Sequence, residues 1–341
     1  MQCYTFNMKL IKYFLIIICF TGIFSCTHNP LEVDVSNIDA KLSFKNFETD
    51  LLNADHIDSM AIKKLRIDYG IFFDVFCSRM LRLPANNDTL LIRELNRFKN
   101  DADIRDIYAE VNKVFSDKNE MQGELLDFVK HYKYYFPGKV EPHFVTYISA
   151  FNYANITTDS IVGIGLDFYL GSDCKFYPSL QFPQYVTVKL NKENIAVNCI
   201  GAWYQKLWEQ DVTKNVCLDY MIYEGKKLYF TDAMSPKLSN AIKIGYTNEQ
   251  WKWAEKYEKD NWAAFIENKL LFDNDYKKFI KLVSDGPNSP GFALESAPKL
   301  GAYFGWKIVK AYMEKNKSVT LSQLMMEQDA QKILEMSKYK P

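Results

Sequence analysis

The stretch Met221–Phe230, MIYEGKKLYF, places an acid on the apolar stripe of a predicted helix. Met221 and Leu228 lie three residues before and four residues after Glu224, so the three side chains share one helical face. Gly225 comes next, and a glycine inside a helix costs about 1 kcal/mol relative to alanine. The stretch therefore predicts a core helix that packs closely against another element and carries a carboxylate with an unexplained role.

The same stretch invites comparison with the zinc-binding pattern H-E-x-x-H, in which two histidines bind Zn²⁺ and the glutamate activates water. Tyr223 and Lys227 occupy the two histidine positions. With ordinary pKa values of about 10 and about 10.4, both side chains are protonated at neutral pH, so neither offers zinc the free lone pair that a histidine does. All histidines of the chain precede this helix: His28, His56, His131 and His143. We expect neither a metal nor another cofactor, and no zinc peptidase activity.

Two interpretations of Glu224 remain open. As a structural residue, it is paired inside the fold, for instance with a lysine, or it turns toward solvent at the helix edge. As a functional residue, it lies in a cleft with Asp167 and binds a polar group. A desolvated carboxylate without a partner has a raised pKa, which makes the two interpretations distinguishable. The candidate site is Tyr223, Glu224, Lys227 and Asp167, in a form that has lost its metal ligands.

The N-terminus has the pattern of a secretory signal. Lys9 and Lys12 precede an apolar run over residues 13–24, which is too short to span a bilayer of about 30 Å. The sequence Ile23-Phe24-Ser25-Cys26 resembles a bacterial lipobox, in which the cysteine becomes the lipidated first residue of the mature protein. We therefore predict a lipoprotein signal peptide over residues 1–25 and a lipid anchor on Cys26. A start at Met8 and a single uncleaved anchor are the alternatives.

The mature chain is close to neutral. Loss of residues 1–25 removes two of the 42 basic residues and none of the 42 acidic residues, which leaves a formal charge of about −2. Nucleic-acid binding needs a concentrated basic surface, so we expect no nucleic-acid partner. Residues 26–42 lack periodicity and are predicted to be a tether, followed by a single domain over residues 43–341.

The domain is predicted to be α+β and predominantly helical. Apolar residues recur at helical spacing to about residue 135, and again from about residue 203 to residue 341. Between them, HFVTYISAFNY (143–153) is rich in β-branched and aromatic residues, and SIVGIGLDFYLG (160–171) alternates. We predict a small antiparallel β-hairpin over about 143–170. One face of its second strand carries Gly163, Gly165 and Asp167, and it can be approached closely by a backbone, a helix or a ligand.

Cysteine and glycine patterns add further expectations. Besides Cys26, the mature chain contains Cys77, Cys174, Cys199 and Cys217. In an oxidising periplasm these four cysteines could form disulfides in any of three pairings. The alternative is that they are buried free thiols. Gly301 and Gly305 form G-x-x-x-G on a helix with too many lysines to be transmembrane. We expect tight packing of a soluble helix there.

Several motifs, in this order, resemble the gliding-motility lipoproteins of the GldB family, which are cell-envelope proteins of the Bacteroidetes. They are YYFPGKVEP (134–142), TYISAFNY (146–153), IVGIGLDFYLG (161–171), MIYEGKKLYF (221–230), IGYTNEQWKW (244–253), LGAYFGWKIVKAYM (300–313) and SKYKP (337–341). The resemblance runs from about Phe44 to Pro341. More remotely, the hairpin followed by YEGKK resembles a zincin-like core whose metal ligands are gone.

The resemblance implies a lipoprotein required for gliding, held in the outer membrane through Cys26, facing the periplasm and working beside other motility or secretion components. It implies no catalytic reaction, so we expect a non-enzymatic component or scaffold. One alternative is an envelope hydrolase that acts on peptide or peptidoglycan through a pair such as Glu224 and Asp167. Another is a module that binds glycan or peptide in an aromatic cleft, because aromatic residues make up 15% of the chain.

Overall fold

The computed structural model describes residues 29–84, 86–211 and 216–341 of the chain. Within these ranges most residues are helical, four short strands form one sheet, and residues 34–341 make one compact unit. Residues 29–43 contain neither helix nor strand. The predicted signal peptide and Cys26 lie outside the described residues, so the lipid anchor stays a prediction.

Helices form the N-terminal part of the unit after a short first strand. They are α1 (Phe47–Leu52), α2 (Ser59–Tyr69), α3 (Ile71–Met80), α4 (Asp88–Asn100), α5 (Ala102–Val114) and α6 (Asn119–Tyr135). Side-chain caps set several starts, because a carboxylate or amide oxygen accepts from N–H groups that have no partner inside the helix. Asp58 accepts from the backbone of Ala61, and Asp101 accepts from the first turn of α5.

The sheet is mixed, with strand order β1-β2-β4-β3. The strands are β1 (Phe44–Asn46), β2 (His143–Tyr147), β3 (Asn155–Thr157) and β4 (Ile161–Gly165). β1, β2 and β4 are parallel, and β3 is antiparallel to β4. The prediction of an antiparallel hairpin over about 143–170 was therefore wrong. The residues between β2 and β4 include β3. The chain therefore changes direction once before β3 and once after it, and β4 runs parallel to β2.

β4 is shorter than its alternating pattern predicts. It ends at Gly165, and Leu166–Tyr169 form a 3₁₀ turn. The glycines of this strand are closely approached, as predicted. A Cβ on Gly165 would lie 2.4 Å from the carbonyl oxygen of Tyr153, and a Cβ on Gly163 would lie 2.9 Å from the ring of Phe72. The alternating pattern of residues 160–171 therefore predicts the close packing of the glycines correctly, but it places the end of β4 too late in the chain.

Helices also form the C-terminal part. They are α7 (Gln184–Thr187), α8 (Ile195–Leu207), α9 (Cys217–Met234), α10 (Asn240–Ile244), α11 (Asn248–Lys256), α12 (Glu258–Glu267), α13 (Tyr276–Val283), α14 (Leu300–Lys315), α15 (Leu321–Met326) and α16 (Ala330–Ser337). Thr247 and Gln250 form a reciprocal capping box at the start of α11, at 3.2 Å and 3.0 Å.

The glycine seam, Gly225 of α9 against Gly305 of α14, brings the backbones of these two helices into close contact. A Cβ on Gly305 would lie 1.7 Å from the carbonyl oxygen of Met221, and a Cβ on Gly225 would lie 2.3 Å from the Gly305 carbonyl. Neither position has room for a side chain, because such distances are far below van der Waals contact. The predicted close packing of Gly225 and of the G-x-x-x-G helix is confirmed.

The core contains the four cysteines and about half of the described aromatic side chains. Cys77, Cys174, Cys199 and Cys217 are buried free thiols, which agrees with the second of the two alternatives for them. Trp203 and Trp306 are fully buried. Core packing therefore accounts for many of the aromatic residues at helical spacing.

Candidate functional site

Glu224 lies at the edge of the apolar stripe of α9. Met221 and Leu228 are buried, as the pattern predicts, whereas the Glu224 side chain is 19% exposed. Its Oε2 forms an ion pair with Nζ of Lys227, one turn further along the helix. The structure thus combines parts of both interpretations, since Glu224 is paired with a lysine and also faces a cleft.

That cleft, called the lysine cleft below, has a volume of about 400 Å³. Its walls come from α8, α9 and α10, from the segment around residues 186–194, and from the start of α14. The charged side chains on its lining are Lys189, Glu224, Lys227, Lys243, Asp285 and Lys299. Helix α9 therefore contributes an ion pair to a site whose other charges come from distant parts of the chain.

One carboxylate oxygen in the cleft accepts from two lysines. Asp285 Oδ1 lies 2.8 Å from Nζ of Lys189 and 2.8 Å from Nζ of Lys299. Burial raises the pKa of Asp285, but the two ammonium groups outweigh it and hold that pKa well below its ordinary value. Burial also lowers the pKa of Lys299, with Asp285 opposing the shift and the charges of Lys189 and Lys227 adding to it.

Behind the cleft wall, Asp232 of α9 is buried and contacts two lysines. Its Oδ1 lies 2.9 Å from Nζ of Lys243, and its Oδ2 lies 3.1 Å from Nζ of Lys310. The indole N–H of Trp306 donates to Oδ2 at 2.7 Å. Lys310 also stacks over the Trp306 ring, 3.8 Å from its centroid. This network joins the C-terminal end of α9 to α10 and α14.

Tyr223 and Lys227, the two former histidine positions of the zinc pattern, do not converge on one site. Lys227 faces the lysine cleft, whereas Tyr223 lines a different cleft and donates from its hydroxyl to the Trp208 carbonyl oxygen at 3.1 Å. Burial raises the pKa of Tyr223. Within residues 29–84, 86–211 and 216–341, no group of three or more His, Cys, Asp or Glu side chains is placed to hold a metal ion. The zincin-like character of the core stays a prediction.

Asp167 has a structural position at the end of β4. It is fully buried, and its Oδ2 accepts from the Ser149 backbone at 3.1 Å, the Ser149 hydroxyl at 3.1 Å and the Phe151 backbone at 2.6 Å. These bonds hold a turn in which Ala150 and Phe151 have φ of 51° and 60°. Burial raises the pKa of Asp167 to about 6, against the lowering effect of these donors. Such a residue stabilises a strained backbone.

The structure does not bring Asp167 and Glu224 into one cleft, because Asp167 is absent from the lining of the lysine cleft. Sequence reasoning found Glu224 and Lys227 but missed Lys189, Asp285 and Lys299. These residues lie between 35 and 75 positions from Glu224 and belong to no short motif. No described residue that lines the lysine cleft is aromatic, so it is not the aromatic cleft considered as an alternative.

Fold and site together define the class: a mostly helical α+β protein with a small mixed sheet and a charged cleft beside its central helix. The family model for gliding motility protein GldB matches residues 28–341, nearly the whole chain. The chain therefore belongs to the GldB family of gliding-motility lipoproteins, and the resemblance found in its motifs is confirmed. No curated protein and no solved structure gives a match. No helix among the described residues is long and apolar enough to cross a membrane.

Proposed function

We propose that this protein is a lipid-anchored, non-catalytic component of the gliding machinery, held in the outer membrane through Cys26 and facing the periplasm. The observation that carries the proposal is the family match over residues 28–341. The lipobox at residues 23–26 supports the anchor. The protein acts there by contact with other motility or secretion components.

The non-catalytic part of the proposal is supported by the state of the former zinc pattern. Tyr223 and Lys227 replace its histidines, and each is engaged in other contacts. The two acids considered for a hydrolase do not share a cleft, because Asp167 is buried and holds a turn. A protein with this arrangement contributes binding surfaces to an assembly.

The anchor is tested with Cys26→Ser in the native host. We expect the wild-type chain to incorporate labelled palmitate and to fractionate with the outer membrane, and the variant to lose the label. The matched control is Cys174→Ser, which changes a cysteine inside the folded unit. Palmitate label that persists in the Cys26 variant contradicts the anchor.

The non-catalytic role is tested by complementing a deletion strain with Glu224→Gln and measuring both surface spreading and protein level. The amide keeps the shape of the side chain and removes its charge. We expect normal accumulation and restored spreading, since no reaction depends on the carboxylate. A variant that accumulates normally but fails to restore spreading, together with turnover by the purified wild type, overturns the proposal.

A further inference from the structure

The lysine cleft carries more positive than negative charge. Four lysines and two acids line it. We propose that this cleft binds the phosphate group of a phosphorylated carbohydrate. The proposal goes beyond the role in gliding and does not depend on it.

The excess of charge persists after every ion pair is counted. Lys227 is paired with Glu224, while Lys189 and Lys299 share a single oxygen of Asp285. Three ammonium groups therefore face two carboxylates. A concave surface with one sign of charge focuses its field and attracts a ligand of the opposite sign.

The fourth lysine adds to this excess. Lys243 is buried, and its partner Asp232 is shared with Lys310. That group also has two cations for one anion. The cleft and the wall behind it thus have the same sign of imbalance, which an anion in the cleft would offset.

The cations of the cleft suit a phosphate group. Every cationic side chain on the cleft lining is a lysine. The planar fork of arginine matches carboxylates and phosphates in bidentate geometry, whereas a lysine binds either anion as a point charge with freely directed donors. Ammonium groups that come from different directions suit the oxygens of a tetrahedral phosphate.

Two of the lysines converge over one backbone position. Nζ of Lys189 and Nζ of Lys299 each lie 3.6 Å from the place that a Cβ on Gly245 would occupy. Lys299 itself has φ of 44°, a left-handed conformation that is strained for a residue other than glycine. Lys299 lies directly before α14, and in this conformation its side chain lines the cleft.

The rest of the lining suits a sugar. Amide and hydroxyl side chains reach it from four elements: Asn155, Asn194, Asn198, Gln205 and Thr231. Asn155, Asn194, Asn198 and Thr231 already donate to other groups of the fold, so these four offer a sugar hydroxyl their oxygen atoms as acceptors. The cleft volume of about 400 Å³ lies in the range of small-molecule sites.

The test is calorimetric titration of the full-length protein in mild detergent with inorganic phosphate, glucose 1-phosphate and glucose. We expect glucose 1-phosphate to bind more tightly than phosphate, and glucose not to bind. Lys189→Met and Lys227→Met should each weaken glucose 1-phosphate at least about tenfold, or ~1.4 kcal/mol. The matched control is Lys278→Met on α13, where the lysine is 74% exposed and pairs with an acid one turn away.

Each other result contradicts part of the proposal. Absence of binding by both phosphates overturns it, as does equal weakening by Lys278→Met. Inorganic phosphate that binds as tightly as glucose 1-phosphate overturns the sugar part, and binding of glucose overturns the phosphate part. Competition by sulfate on the wild-type protein is expected as well, and it tests the anion requirement without any variant.

Discussion

Two faces of helix α9 differ in their surroundings, because one packs against α14 and the other lines the lysine cleft. The glycine seam brings α9 and α14 together with no side chain between their backbones. The neighbouring face carries Glu224 and Lys227 toward the lysine cleft, where side chains have room and partial contact with water. The seam has no space for an added Cβ, whereas we expect the cleft face to accept changes of charge at small cost in stability. We therefore expect substitutions in the seam to change stability and substitutions on the cleft face to change the proposed binding.

The strongest test of this separation is Gly305→Ala in the seam. We expect it to lower the free energy of unfolding by more than about 4 kcal/mol, or to prevent folding, because the new methyl would overlap the Met221 carbonyl and force the helices apart. Urea unfolding measures the change. Gly123→Ala on α6 is the control, since a Cβ there meets no atom within 4 Å and should stabilise by roughly 0.5–1 kcal/mol. A loss of similar size at both sites would show that the seam is not special.

A large but smaller effect is expected for Asp232→Asn at the end of the same helix. The change leaves Lys243 and Lys310 without their carboxylate, and breaking a buried pair costs about 3 kcal/mol. Asp275→Asn is the control, because its ion pair with Lys278 is exposed and such pairs contribute about 0–1 kcal/mol. Thermal unfolding of both variants separates the buried network from a surface pair. Equal stability of the two variants would contradict the larger contribution of the buried Asp232 network.

Asp167 gives a pH-dependent prediction away from α9. Its folded pKa of about 6 exceeds the ordinary value of 3.8, so the folded state holds a proton that the unfolded state has released. Stability from this group is present at low pH and falls as pH rises from about 4 through about 6. Asp167→Asn removes the titration. The unfolding free energy of the wild type minus that of the variant should therefore be larger at pH 5 than at pH 7 by about 1 kcal/mol. A difference that does not change with pH would contradict the raised pKa.

The smallest effect is expected for Glu224→Gln on the cleft face. Its ion pair with Lys227 joins neighbouring turns of one helix, and such pairs contribute about 0.3–0.5 kcal/mol. Chemical unfolding should therefore differ from wild type by less than about 0.5 kcal/mol. A loss as large as that of Asp232→Asn would place Glu224 with the structural residues and would remove the contrast between the two faces.

The sequence was most informative where one short segment contains the whole signal. The helical period and the glycines of the seam are each visible within a few residues, and the structure agrees with them. The pairing of the strands was not predictable in this way. Short β3 lies inside a segment that resembles a loop, and its presence changes the direction of β4.

The site was predictable only in part for the same reason. Glu224 stood out because a charge on an apolar stripe is a local anomaly. The residues that complete the cleft, such as Lys189 and Lys299, are ordinary polar residues in their own segments. Asp167 was recognised, but as a cleft residue. Its role depends on donors from the turn at Ser149 and Phe151, which only the folded chain brings to it.

The distance along the chain between the two halves of the glycine seam has a consequence for folding during the predicted export. Gly225 and Gly305 are 80 residues apart, and β1 and β2 also pair across about 100 residues. Contacts of such long range form late, because the loop between them must close first. A chain that emerges from its N-terminus during translocation cannot complete the seam until α14 has followed. In the export that the lipobox predicts, the contact between α9 and α14 would therefore form only when little of the chain remains to cross the membrane.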